Sequence, residues 1–336
     1  MSNQERRVSV IIPTYNRASY LVESLESVLA QTYRNLEVIV VNDGSTDETK
    51  VILEAYQDRI SYFEKTNGGK SSALNFGLKH ISGEYVWVFD DDDVALPELV
   101  ASHISVFESQ PEVGFVYSGY AFFEGKDADN VIETVEATAH PDGEMLGQLL
   151  SGNFISGVSV VVRRQCYDRV GIYDERLIRA QDYDMWIRLA RAGYKAGVIQ
   201  KPLVRVRKHD GLRGSEEDRF KISILREKHL EYHRIIMKKI YWEVPLDAIS
   251  PELSIAPDDP ERTLRALLKR TWIVANTMLV EETTRDLSLV RDHLSIHGEL
   301  RLDDRQRVFL SALKDYAGNQ RQSEIASLSE LIVQSA

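Results

Sequence analysis

From Val8 to Phe107 the chain repeats one pattern: a short β-branched run, a polar loop, then apolar residues at helical spacing. Residues 8–12, 36–41, 60–63 and 85–89 read as strands, the first stopped by Pro13. Leu21, Val22, Leu25, Val28 and Leu29 predict the first helix, with Asn16 or Ser19 as its cap. Ser45 and Glu48 form a capping-box pattern ahead of a second helix, residues 71–79 read as a third, and Pro97 suits the first position of a fourth. Such an alternation implies a parallel sheet covered by helices. In open sheets of this kind ligands bind outside the C-terminal ends of the strands. Three polar clusters fall there: Thr14 to Arg17, Asn42 to Ser45, and Asp90 to Asp93.

The third cluster is the sharpest. A dry run, Tyr85 to Phe89, leads straight into four consecutive aspartates. A helix N-terminus downstream favours nearby acid, but four in a row exceed what that requires. The pattern suits a hard divalent cation held by one or two carboxylates, with phosphate oxygens and water completing its shell. Asp43, before Gly44, reads either as a turn residue or as an acceptor for a nucleobase or ribose. Gly69-Lys70-Ser71 is no P-loop, because Glu64 stands where its first glycine belongs.

Beyond these, residues 113–123 read as two strand pieces, 126–144 as an acidic excursion or flexible loop, 158–162 as a strand and 166–170 as a short helix. Residues 181–192 read as a helix closed by Gly193, and 196–199 as a last strand. From about Ser215 glycine nearly vanishes, leaving Gly298 and Gly318. Helical periodicity then dominates over 220–240, 264–279, 285–297, 305–316 and 323–333.

A net charge of −11 argues against nucleic-acid binding, and no apolar stretch reaches the roughly 18 residues of a membrane span. One cysteine, Cys166, permits neither an intrachain disulfide nor a cysteine zinc site. A cytoplasmic protein is expected, with the inner face of the membrane as a peripheral location. The helical stretch is a candidate for homo-oligomerisation, partner docking or membrane contact.

Taken together, the segments 8–17, 38–47, 67–77 and 83–93 resemble family-2 glycosyltransferases of the GT-A fold, in family order and spacing. The resemblance covers about residues 8–215. It implies an α/β GT-A domain over 1–214, with a mostly parallel central sheet, a nucleotide half to about 120 and an acceptor half beyond. Residues 215–336 would be a C-terminal α-helical extension. It implies transfer of a sugar from a UDP-sugar to a saccharide, lipid-linked or protein-linked acceptor with inversion, assisted by Mn²⁺ or Mg²⁺. Bacterial surface polysaccharide or glycoconjugate synthesis is the implied setting.

Residue by residue, the resemblance places Pro13, Thr14, Tyr15, Asn16, Arg17, Asp43, Lys70, Asn75, Asp90 and Asp91 at the nucleotide. Asp92 becomes the main metal ligand and His209 a second. Asp182, in Gln181-Asp182, becomes the general base; the family usually has Glu where this chain has Gln181. A nucleotidyltransferase is disfavoured, since no glycine-rich basic loop follows the first strand. A sugar-nucleotide binder without catalysis is the alternative reading.

Overall fold

The computed structural model describes residues 6–141, 143–209, 225–251, 253, 256, 258–319 and 322–335. Contacts divide the chain into two units, Met1–His140 with Asn153–Leu225 and Pro141–Gly152 with Arg226–Ala336. The boundary expected at 214/215 lies outside the described residues.

The first unit is a mixed α/β sheet. Its strands are β1 (Val8–Thr14), β2 (Leu36–Asn42), β3 (Ser61–Glu64), β4 (Tyr85–Val88), β5 (Val94–Ala95), β6 (Val113–Glu124), β7 (Val131–Val135), β8 (Val160–Arg163) and β9 (Lys195–Lys208). Among the described residues they run β3-β2-β1-β4-β8-β6-β9-β5, with β7 on β6. The expected parallel part is β3-β2-β1-β4. From β4 onward the pairings are antiparallel, apart from the parallel pair β6 and β9. Helices α1 (Ala18–Leu29), α2 (Thr49–Glu54), α3 (Gly69–Leu78), α4 (Leu99–Ser109), α6 (Arg164–Val170) and α7 (Gln181–Arg191) follow the strands; α5 (Met145–Ser151) belongs to the second unit.

Several local expectations are corrected. Pro13 does not stop β1 but lies within it, opposite Val41. Neither Asn16 nor Ser19 caps α1; Asp47 does so from another loop, accepting from the Ala18 N–H at 3.1 Å. Ser45 and Glu48 form no capping box, and Asp47 also accepts from Thr49 N–H at 3.0 Å. Pro97 precedes α4 rather than opening it. The acidic excursion contains strand β7. The two pieces expected over 113–123 are one strand that shifts register at Gly119. A Cβ on Gly119 would lie 2.5 Å from the Gln200 carbonyl and 2.7 Å from that of Val135. Only a bare backbone fits there, and one glycine reads as a break in a run of side chains.

The core of this unit gathers Val8, Val10 and Ile12 with Tyr85, Trp87 and Phe89, closed by Leu25, Val28, Leu99 and Phe107 from α1 and α4. Fully burying side chains of this size is worth about 1.5–3 kcal/mol each relative to exposure. This core holds the C-terminal ends of β1, β2 and β4 side by side.

The second unit is helical: α5, α8 (Leu225–Ile240), α9 (Leu246–Ile249), α10 (Pro260–Asn276), α11 (Val280–Ile296), α12 (Asp304–Asn319) and α13 (Ser323–Ser335). Asp259 caps α10 by accepting from the N–H groups of Glu261 and Arg262, with Pro260 at the first position. Leu264, Leu267, Leu268, Leu287, Val290, Leu310 and Ile332 form its core. Inside it Asp286, fully buried, takes Arg270 at 2.6 Å and the Tyr241 hydroxyl at 2.7 Å. No helix among the described residues is long and apolar enough to cross a membrane.

Candidate active site

The loops after β1 and β2 are tied to each other. Asn16, at φ 53°, accepts from the Thr46 N–H at 2.8 Å through its side chain, while its own N–H donates to the Ser45 hydroxyl at 2.9 Å. Asn tolerates this left-handed conformation better than most residues, which accounts for its place at the bend. Pro13 and Thr14 are buried, and Tyr15 is half-buried beside them. Asp43 is buried too: Lys65 Nζ lies 2.7 Å from its carboxylate, and the N–H groups of Gly68 and Gly69 donate to it at 3.1 and 2.8 Å.

The four aspartates occupy the turn between β4 and β5. Because β5 pairs with β9 through Val94–Arg205 and Ala95–Val204, the end of β9 comes back to this turn. His209 follows, its Nε2 3.1 Å from Asp92 Oδ2 and its ring 5.1 Å from that of Tyr20. Arg207 donates its backbone N–H to Asp93 at 2.8 Å and its Nε–H to the Asp92 carbonyl at 2.9 Å; its guanidinium pairs with Glu23 and stacks on Phe123. Ser24 donates to the Asp90 carbonyl at 2.7 Å. Arg17 stands 3.9 Å from Asp91 and 3.8 Å from Asp92, and Lys70, at the start of α3, 2.6 Å from Asp90. Neither Arg207 nor Ser24 was marked by the sequence; a basic run and a helix serine give no sign of holding an acidic turn.

Crowded like charge has visible consequences. Burial, then Asp92, lifts the Asp91 pKa to about 7 against the pull of Thr14 and Arg17. Burial, then Asp92 and Asp90, lifts Asp93 well above the ordinary carboxylate value. Burial also works against the Asp92 charge, but the His209 hydrogen bond, Arg17 and Lys70 outweigh it and hold Asp92 low. Burial likewise opposes the Lys70 charge, and Asp90, Asp182 and Asp92 together overcome it, so its pKa is raised.

Oxygen atoms of Asp90, Asp92 and Asp93 all lie within 4.8 Å of one another. Hard oxygen donors this close fit a hard divalent cation. Asp92, one of the two expected ligands, belongs to this group with Asp90 and Asp93, and His209, the other, lies 3.1 Å from Asp92 through Nε2.

Asp182 sits in the first turn of α7. Burial raises its pKa, opposed by Lys70 and reinforced by Asp90. Its neighbour Asp184 is spent on Arg188 at 2.8 Å, an i,i+4 pair within the helix. Asn75 does not join the charged cluster. Its amide donates to the Tyr173 carbonyl and accepts from the Tyr173 N–H, each at 2.9 Å, and Ser71 donates to the Leu177 carbonyl at the same distance. Helix α3 thereby holds both Lys70 and the segment that leads into α7.

The strand-end acidic turn thus lies near a separately held carboxylate, since Asp90 acts electrostatically on Asp182. Residues 9–171 match the model of Glycosyl transferase family 2. An "Uncharacterized glycosyltransferase" of Rickettsia typhi is 36% identical over 207 residues, which are 60% of this chain and 64% of that protein. The chain spans between 27% and 58% of four further rickettsial relatives. In fold, it is similar to Staphylococcus aureus TarS in complex with UDP-GlcNAc, at 18% identity and TM-score 0.61, covering 98% of this chain and 91% of that one. It is also similar to the mannosyltransferase PcManGT of Pyrobaculum calidifontis in complex with GDP-Man and Mn²⁺, at 21% identity and TM-score 0.54, covering 99% and 86%. The fold is therefore that of the GT-A glycosyltransferases.

Proposed function

We propose that the chain transfers a sugar from a UDP-sugar to an acceptor hydroxyl with inversion of configuration. The observation that carries this reading is the pairing of a cation-ready acidic turn with a separate carboxylate, Asp182, whose pKa burial has raised. Asp182 takes the proton from the acceptor hydroxyl, and the oxygen attacks the anomeric carbon from the face opposite the diphosphate. One displacement inverts the centre, and no protein nucleophile is needed. Asp90, Asp92 and Asp93 would hold Mn²⁺ or Mg²⁺, which supplies positive charge for the departing diphosphate. Lys70 and Arg17 add fixed positive charge beside it. Thr14, Tyr15 and Asp43 line the base and ribose, with Asn16 joining their two loops. Asn75 acts by holding the 173–177 segment.

The fold hosts both UDP- and GDP-sugars in its neighbours. Uracil is favoured here by the resemblance of Asp43 to the family's uracil-binding aspartate. The acceptor is a saccharide, free or linked to lipid or protein. A thermal-shift screen of UDP- and GDP-hexoses and N-acetylhexosamines, with and without Mn²⁺, tests the donor. A UDP-sugar should raise the melting temperature only with the cation, and its Mn²⁺-dependent turnover should release UDP. Stabilisation by GDP-sugars alone would overturn the UDP assignment, and binding without any release would favour a non-catalytic binder.

A further inference from the structure

The Asp182 carboxylate rests against a place where a side chain is missing. A Cβ on Gly157 would lie 2.7 Å from Asp182 Oδ2. The other oxygen, Oδ1, accepts from the Tyr183 N–H at 2.8 Å. The Gly157 backbone lies directly beside Oδ2, the oxygen that does not take the Tyr183 N–H.

Gly157 opens a short 3₁₀ turn, Gly157–Ser159. The next two carbonyls of that turn lie against buried side chains from distant parts of the sheet unit. Trp87 Nε1 donates to the Val158 carbonyl at 2.9 Å, and His103 Nε2 lies 3.0 Å from the Ser159 carbonyl. Both side chains are fully buried. Trp87 belongs to β4, the strand that runs into the aspartate turn. One connected path therefore leads from the strand of the acidic turn, through an indole N–H and one turn of backbone, to the side of Asp182.

We propose that the Gly157 turn is a strut that sets Asp182 Oδ2 relative to the acidic turn, with Trp87 as its anchor. Both are positioning residues, and the inference rests on the reading of Asp182 as the base. Catalysis of this kind is steep in distance: a misplacement of about 1 Å can cost about 100-fold in rate. A methyl group at position 157 must move either the carboxylate or the turn, because neither a carboxylate oxygen nor packed backbone tolerates 2.7 Å.

The test uses full-length wild type, Gly157→Ala, Trp87→Phe and Asp182→Asn with Mn²⁺. An equimolar mixture of UDP-glucose, UDP-galactose, UDP-GlcNAc and UDP-GalNAc serves as probe, with UDP release, UDP affinity by calorimetry and melting temperature as readouts. Gly157→Ala should lower the release rate by about 100-fold, and Trp87→Phe, which keeps the ring but loses the donor, by about tenfold, with UDP affinity unchanged in both. A merely structural role would instead lower melting temperature and UDP affinity together and leave the rate of the folded fraction intact. A silent Asp182→Asn beside wild-type rates in both other variants overturns the strut alone. Wild-type rates in Asp182→Asn overturn the base assignment beneath it. A crystal structure of Gly157→Ala gives a readout independent of turnover: Asp182 displaced while Asp90 and Asp92 stay in place supports the strut, and an unmoved Asp182 overturns it.

Discussion

The two sides of the sheet unit share polar side-chain ties but differ in what packs against the key carboxylates. On the nucleotide side, loops that follow neighbouring parallel strands are tied by short polar side chains: Asn16 to Thr46, Asp47 to Ala18, Asp43 to Gly68 and Gly69. On the side of Asp182, Asn75 and Ser71 tie α3 to the segment that leads into α7, but the carboxylate itself also leans on packed backbone. Beside Asp182 lies Gly157, whose turn is held by the Trp87 indole N–H on the Val158 carbonyl, with the His103 ring 3.0 Å from the Ser159 carbonyl. The first arrangement fixes loops against one another through local hydrogen bonds. The second places one atom through packing, which is stiffer and less tolerant of substitution.

The largest break in this comparison should come from Asp182→Asn, which keeps shape and removes the base. Release of UDP from the donor is expected to fall by about 10³-fold while UDP affinity by calorimetry stays unchanged. Asp92→Asn should do the reverse, abolishing the Mn²⁺-dependent thermal stabilisation by UDP. At ligand near 100 times Kd that stabilisation is about 2.7 kcal/mol, and its persistence would move the cation elsewhere. Arg207→Met strips the Asp92 carbonyl of its donor and leaves Glu23 without its partner. A loss of about 2 kcal/mol in urea unfolding is expected, with weaker Mn²⁺ binding.

The pH profile sharpens the comparison. Burial raises the Asp182 pKa above the ordinary value of 3.8, and the base works only when deprotonated. Turnover should therefore rise with pH through a midpoint above that value. A midpoint at or below it would remove burial as the dominant influence on the base. The smallest effect should lie in the helical unit. Tyr241→Phe takes one donor from Asp286 but leaves the Arg270 fork, costing about 1 kcal/mol of stability with no change in UDP release.

The same contrast explains what the sequence disclosed. Parallel strands bring their C-terminal loops together by topology alone, so Thr14, Asp43 and Asp90 could be placed side by side from pattern. The long helices of the helical unit were legible because leucines at helical spacing need no partner to be recognised, whereas short α5 and α9 offered too few turns to show a period. Gly157, Trp87 and His103 were not legible as a group, because what joins them is backbone carbonyl oxygen, which every residue has. Arg207 looked like one cation among several; its role depends on β5 pairing with β9, and a two-residue strand leaves no periodicity to detect. The continuity of β6 through Gly119 was not legible, because what requires a glycine there, the carbonyls of Val135 and Gln200, lies 16 and 81 residues away.

The closing of the acidic turn by β9 also orders events in time. The contacts that bring Arg207 to Asp93 and His209 to Asp92 span 114 and 117 residues of chain, whereas β1 and β2 meet across a single helix. Local pairings form early and distant ones late, because long loops must be closed first. During synthesis the nucleotide-side loops can be assembled long before the ribosome has made the strand that completes the aspartate turn. If the acidic turn holds a cation as proposed, that affinity would belong to finished molecules only, and divalent-cation binding would count the fraction of chains that have completed the sheet.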